Sequence, residues 1–159
     1  MDKCLSMGCS IFCALFEQFS SFLEWVVRDV SGVNSVTQYL DDFLCVGTAG
    51  SRFCAVWLAT LEHIAEQFGV PLAPEKTEGP RLVIQFLGIV IGAEVMECRL
   101  PLDKLEGLEA EICEMGGLRK VQLRALQSLL GKLNFACRIL PMGRVFCRRL
   151  SASTAGQVT

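Results

Sequence analysis

Two adjacent carboxylates, Asp41 and Asp42, interrupt a run of β-branched and aromatic residues that extends from Val36 to Val46. Neighbouring carboxylates repel each other, and burying them without partners is costly, so they are poorly suited to the interior of a buried strand. A tight turn between two short strands keeps both acids near the surface and leaves the apolar residues for the core. The pattern therefore predicts a β-hairpin over residues 36–46, with Asp41 and Asp42 at or beside its turn.

Apolar residues at helical spacing predict a core helix on each side of this hairpin. The first covers residues 10–30 and ends at Gly32, and the second covers residues 51–68, with Ser51 as its N-cap and Gly69 as its stop. The first helix presents a wide apolar stripe of Phe12, Leu15, Phe16, Phe19, Phe22, Leu23, Val26, Val27 and Val30. Its length raises the question of a membrane span, which is disfavoured by the charges of Glu17, Glu24 and Arg28.

The remainder of the chain predicts a loop, two strands and a helical segment. Three prolines mark residues 70–80 as a loop, and strands are expected over 82–91 and 95–100, joined at Gly92-Ala93. Helices are expected over about 102–115, over about 120–139 and after Pro141, followed by a loose tail from Ser151. The predicted fold class is α+β, with a first domain over residues 1–100, a helical segment over 101–150 and a tail over 151–159.

Charge and cysteine content narrow the classes of function. The net charge is −2, but residues 1–98 carry −7 and residues 99–159 carry +5, which predicts an anionic partner for the C-terminal part or else a solvated helical face. Nine cysteines occur without a Cys-x-x-Cys pair and beside a single histidine, so zinc and haem sites lack suitably spaced ligands. We expect reduced, mostly buried thiols in an intracellular protein without a membrane anchor.

The paired aspartates are the clearest candidates for chemistry. Mg²⁺ prefers hard oxygen ligands and commonly takes one or two protein carboxylates together with substrate phosphates. Two such ions can activate an attacking hydroxyl and stabilise a departing phosphate oxygen. The alternative is an ordinary exposed turn, because Asp is common in turns.

The wider sequence resembles reverse transcriptases. Tyr39-Leu40-Asp41-Asp42 resembles their motif C, Met7-Gly8-Cys9-Ser10 resembles motif B, residues 69–77 resemble motif D, and Phe86-Leu87-Gly88-Ile89 resembles motif E. The four motifs follow in the family's order, and the resemblance covers residues 2 to about 150. It is nearest to the polymerases of DIRS-like and Ngaro-like retrotransposons, whose pattern is echoed by residues 4–25, 75–80 and 126–136.

This resemblance implies a partial polymerase palm followed by a thumb-like helical unit, with a role for each motif. Asp41 and Asp42 would hold Mg²⁺ or Mn²⁺, and Lys76 would neutralise or protonate the departing pyrophosphate. Template and nucleotide would contact Met7, Gly8, Ser10 and Tyr39, and the primer grip would comprise Phe86, Leu87 and Gly88. Phosphates of a template–primer duplex would contact Arg119, Lys120, Arg124, Lys132, Arg138, Arg144, Arg148 and Arg149.

The sequence also departs from the family pattern. Reverse transcriptases use a third metal-binding aspartate on motif A, which is absent from these 159 residues, and Asp2 lies in the wrong context to replace it. Ser6 stands where these elements usually have proline, and Phe12 stands where serine is common. We therefore expect metal binding to be weak or absent and this chain alone to be inactive. The hypotheses are a segment of a working RNA-directed DNA polymerase, which acts on template–primer and dNTPs, or a catalytically dead remnant that at most binds nucleic acid.

Overall fold

The computed structural model describes residues 10–154 and has the α+β composition that the sequence predicts. It divides into two compact units, Met1–Phe86 and Leu87–Thr159. The described residues contain five α-helices and five short strands. The predicted domain boundary after residue 100 stays a prediction, because the two units are defined by packing alone and not by function.

The predicted hairpin is present in the first unit. Strands β1 (Val36–Tyr39) and β2 (Asp42–Cys45) pair in antiparallel fashion, with Val36 opposite Cys45 and Tyr39 opposite Asp42. Leu40 and Asp41 form the two-residue connection. Because side chains alternate between the faces of a strand, one face carries Val36, Phe43 and Cys45 toward the core, and the other faces outward.

Two helices pack with this hairpin around one core. Helix α1 (Ser10–Ser31) ends before Gly32, which has the left-handed φ of 69°, and α2 (Phe53–Phe68) ends at Gly69 with a φ of 67°. The core comprises Leu23, Val27, Val33, Trp57, Leu61 and Ile64. An isolated two-stranded hairpin is marginal in water, so this shared core is what stabilises β1 and β2.

Two expectations for these helices are wrong in detail. Ser51 is not the N-cap of α2, because the helix begins at Phe53 behind Arg52 and no side chain caps it by a hydrogen bond. The wide stripe of α1 is only partly buried: Leu23 and Val27 are in the core, while Leu15, Phe22 and Val30 are exposed. The stripe is wider than the surface that the hairpin and α2 cover, so part of it stays exposed.

The strand predicted over residues 82–91 is also wrong. The chain forms β3 (Val83–Phe86) and β4 (Ile89–Gly92), separated by Leu87 and Gly88, whose φ values are 48° and 75°. Positive φ at two successive residues cannot occur in an extended strand. The following strand is β5 (Glu97–Arg99), shorter than predicted, and it pairs antiparallel with β4 with Gly92 opposite Glu97.

Helices dominate the second unit, as predicted. They are α3 (Leu102–Gly116), α4 (Leu123–Ala136), a 3-10 turn at Pro141–Gly143 and α5 (Arg144–Thr154). Their buried residues are Leu129, Leu130, Ala136, Cys137 and Cys147. The predicted loose tail is wrong for residues 151–154, because α5 continues through them and the hydroxyls of Ser153 and Thr154 donate hydrogen bonds to backbone carbonyls one turn earlier.

Thiols are free at the seven cysteines within residues 10–154, and fewer are buried than the sequence suggested. Cys137 and Cys147 are buried, with their sulfur atoms 3.4 Å apart, whereas Cys13, Cys98 and Cys113 are exposed. Burial raises the pKa of Cys45 to about 12, so this thiol is neutral at physiological pH. In the same part of the chain, no helix combines the length and apolar character needed to cross a lipid bilayer.

Candidate functional site

The candidate site is the turn of the β1–β2 hairpin, where the structure brings Tyr39, Asp41 and Asp42 together. Asp41 is the second residue of the turn and Asp42 is the first residue of β2, and both are exposed. Tyr39, which is 56% exposed, lies directly opposite Asp42 in the ladder. Opposed residues project to the same face of a sheet, about 4.5–5.5 Å apart at Cβ, so Tyr39 and Asp42 lie on one face beside the turn.

Helix α1 holds this turn through hydrogen bonds to the backbone N–H and the backbone carbonyl of Leu40. The backbone N–H of Leu40 donates to the Glu17 carboxylate at 3.1 Å, and the Ser20 hydroxyl donates to the Leu40 carbonyl. The Gln38 amide donates to the same Glu17 oxygen and to the Leu40 carbonyl, each at 3.2 Å. We call Glu17, Ser20 and Gln38 the turn clamp.

The clamp is needed because Leu40 has an unfavourable backbone conformation. Its φ is 52°, in the left-handed region where a non-glycine residue costs roughly 1–2 kcal/mol. A hydrogen bond to a charged group contributes about 1.5–3 kcal/mol. The bond from Leu40 to Glu17 is therefore large enough to offset the conformational cost and fix the residue that precedes Asp41.

Sequence reasoning missed the clamp. In the sequence, Glu17 is only a charge that disfavours a membrane span, although it lies one turn before Ser20 on the helix face that meets the hairpin. The burial that reveals its role comes from the structure: Glu17 is half-buried and Ser20 is 2% exposed, and a buried polar side chain requires a partner. Without a structure, the identity of that partner does not follow.

The donor set of the turn suits a hard divalent cation only in part. Asp41 and Asp42 supply exposed carboxylate oxygens, which Mg²⁺ and Mn²⁺ prefer. Glu17, the acidic side chain that contacts the turn, is occupied by hydrogen bonds from Leu40 and Gln38. Within residues 10–154, no cluster of three or more His, Cys, Asp or Glu side chains is arranged to hold a metal ion.

The other residues predicted for nucleotide and template contact are less informative. Met7 and Gly8 lie outside the described residues, and Ser10 is the first residue of α1. Lys76 is exposed in a turn of the loop after α2, where its backbone N–H donates to the Ala73 carbonyl at 3.0 Å. Its assigned role toward pyrophosphate stays a prediction.

The predicted primer-grip residues mark the end of β3 and the turn after it. Phe86 is the last residue of β3, whereas Leu87 and Gly88 are the turn residues with positive φ. Beside this turn, in the second unit, the Lys104 ammonium lies 5.2 Å from the centre of the Phe135 ring. A Cβ atom on Gly88 would lie 2.5 Å from that ammonium, which the flexible Lys104 side chain can move away, so it is the positive φ that favours glycine there.

All eight basic residues predicted to contact phosphates are exposed. Arg119 and Lys120 lie between α3 and α4, Arg124 and Lys132 on α4, Arg138 after it, and Arg144, Arg148 and Arg149 on α5. Among the described residues, the ion pair in this set joins Lys132 to Glu111 at 2.6 Å, and the other seven have no carboxylate within 4.0 Å. Exposure and the lack of an acidic partner leave the charge of these seven residues available to an anion.

Comparison with known proteins gives one informative similarity. The chain is 28% identical over 142 residues to the Gag-Pro-Pol polyprotein of Human T-cell leukemia virus 3 (strain 2026ND). The match covers 89% of this chain and 9% of the polyprotein. No protein-family model matches the chain, and no solved structure matches it. The similarity points to a retroelement-related protein.

Replacing Glu17 by Ala should loosen the hairpin turn. Loss of the acceptor for Leu40 N–H should lower the free energy of unfolding by about 1.5–3 kcal/mol and speed hydrogen exchange at the Leu40 amide. Glu17→Gln, which keeps a side-chain acceptor, should lose less. Urea unfolding and amide exchange measured by NMR test this, with the exposed neighbour Gln18→Ala as the matched control. Equal Leu40 exchange rates in Glu17→Ala and Gln18→Ala would contradict the clamp.

Proposed function

We propose that this chain is a fragment of a retrotransposon RNA-directed DNA polymerase, comprising part of the palm and a thumb-like unit. The observation that carries the proposal is the pair of exposed carboxylates on a hairpin turn that α1 holds through Leu40. The similarity to a retroviral Gag-Pro-Pol polyprotein supports the same class of element. The chain spans less than a tenth of that polyprotein. Polymerase activity is therefore part of what we propose.

In this proposal, Asp41 and Asp42 bind Mg²⁺ together with phosphate oxygens of the incoming nucleotide. The bound metal neutralises charge that develops during phosphoryl transfer. The protein contributes position: the clamp on Leu40 fixes where the two carboxylates are presented, and Tyr39 lies opposite Asp42 in the strand pair. Phosphoryl transfer depends mainly on positioning and electrostatic stabilisation, so a rigid turn is the relevant property.

The second unit contributes attraction for a template–primer duplex. From Arg119 to the C-terminus the sequence holds 8 basic residues and no acidic one. Arg144 and Arg148 are one turn apart on α5, and Arg149 is exposed beside them. Contacts from such side chains to phosphates give affinity without sequence preference.

A second candidate is a module that binds nucleic acid without catalysis. The lack of a third carboxylate beside Asp41 and Asp42 in the described residues favours it. Both candidates share the basic second unit and differ in whether the turn binds a catalytic cation. Metal binding, primer extension and duplex binding therefore test separate parts of the proposal.

Mn²⁺ should bind weakly at the hairpin turn. Because Mn²⁺ is paramagnetic, its binding should broaden the amide signals of residues 40–43 in NMR spectra, and Asp41→Asn with Asp42→Asn should remove the effect. The matched control is Glu62→Gln with Glu66→Gln, which removes two exposed carboxylates from α2. Broadening that survives the Asp double substitution would place the metal elsewhere.

The purified 159-residue chain should show no primer extension on a template–primer duplex with dNTPs and Mg²⁺. Two carboxylates hold a metal pair less rigidly than the three that reverse transcriptases use, and loss of positioning removes charge stabilisation with it. Gel analysis of a labelled primer gives the measurement. Templated synthesis that Asp41→Ala abolishes would contradict the prediction that this chain is inactive alone.

Neutralising Arg144, Arg148 and Arg149 to Gln should weaken duplex binding and its salt dependence. Each side chain that contacts a phosphate should lower the slope of log K against log salt concentration by about 0.9. Fluorescence anisotropy with a labelled duplex at several salt concentrations measures both quantities. The control neutralises Arg28, Arg52 and Arg81 of the first unit, which removes the same charge. Equal slopes in the two triple variants would show that α5 is only a solvated surface.

A further inference from the structure

A cavity of about 510 Å³ that is open to solvent on one side lies between α3 and α4 within the second unit. Its apolar lining comes from Leu100, Leu108 and Phe135, and two glycines and two lysines complete it. Sites for small molecules typically measure about 300–1,000 Å³ and combine an apolar lining with a few polar groups. The cavity has the size and composition of such a site, and it lies outside the hairpin turn.

The two glycines leave space in this cavity, but they lower the stability of the helices that contain them. Gly107 lies within α3 and Gly131 within α4, where glycine is less favourable than alanine. Close helix packing does not explain them, because a Cβ atom at either position would meet nothing within 4 Å. Their effect is to leave bare backbone along two walls, which suits a flat ligand.

The two lysines bring positive charge to the lining of the cavity. Lys132 is paired with Glu111, whereas in the described part of the chain Lys104 has no carboxylate within 4.0 Å. The Lys104 side chain is exposed, and its ammonium lies 5.2 Å from the centre of the Phe135 ring at the edge of the cavity. One uncommitted cation next to an apolar cavity favours an anion with an apolar body over a neutral molecule of the same shape.

We propose that this cavity binds a small planar aromatic anion, with its rings between Gly107 and Gly131 and its acidic group against Lys104. Its volume suits a small molecule, and the unpaired ammonium selects the charge. The inference is independent of the polymerase assignment, since it uses no residue of the hairpin turn.

The test uses 2-naphthoate as the probe and the uncharged 2-naphthalenemethanol as its partner, titrated into the full chain by NMR. Naphthoate should shift the amides of Gly107, Gly131 and Phe135. Gly131→Leu and Gly107→Leu should each weaken binding about tenfold or more by filling the cavity, with helix content checked by circular dichroism. Lys104→Met should weaken naphthoate binding about threefold, as expected for a partly exposed charge, and leave the alcohol unchanged.

Gly116→Leu, at the end of α3 and away from the cavity lining, is the matched control and should bind naphthoate as the unaltered chain does. Unchanged affinity in both cavity-filling variants would overturn the proposal, because the probe would then lie on exposed apolar surface. An equal loss in Gly116→Leu, or no shift at millimolar probe, would overturn it as well.

Discussion

The hydrogen bond from the Leu40 N–H to the Glu17 carboxylate connects the first helix to the turn that carries Asp41 and Asp42. Ser20 completes the connection at the Leu40 carbonyl, so both polar groups of one strained residue are bound by α1. The aspartates are exposed and receive no comparable support of their own. Their placement therefore depends on a carboxylate that carries no chemistry itself, in a helix whose other contacts with the hairpin are mainly apolar.

In the first unit, sequence patterns predicted where the helices and the hairpin lie better than they predicted which helix face is buried. Two acids in an apolar run were enough to place the hairpin, and Gly32 and Gly69 marked the helix ends because only glycine adopts positive φ without cost. The same rule gives no signal at Leu40 and Leu87, which also have positive φ, and at Leu40 hydrogen bonds with Glu17 and Ser20 hold leucine in a conformation that its own preference disfavours. The buried face of α1 was not predictable either, since the apolar stripe of that helix is wider than the surface that the hairpin and α2 cover, and docking alone selects among its residues.

The two halves of the chain carry net charges of opposite sign. Residues 1–98 carry −7, which opposes the approach of a phosphate to Asp41 and Asp42 unless a cation intervenes. Residues 99–159 carry +5 and expose Arg144, Arg148 and Arg149 on one short helix. Under the proposed function, the second half would attract an anionic polymer, and chemistry at the turn would need a divalent ion. Neither property follows from the overall charge of −2.

The positive φ of Leu40 also has a consequence for the order of folding. A two-residue turn with glycine or asparagine at such a position can nucleate a hairpin locally, but leucine there opposes closure by roughly 1–2 kcal/mol. The compensating bonds come from Glu17 and Ser20, about twenty residues earlier in the chain. We therefore expect hairpin closure to follow a long-range encounter with a formed α1, so that the folding nucleus contains that helix and the β1–β2 pair is added as the helix docks.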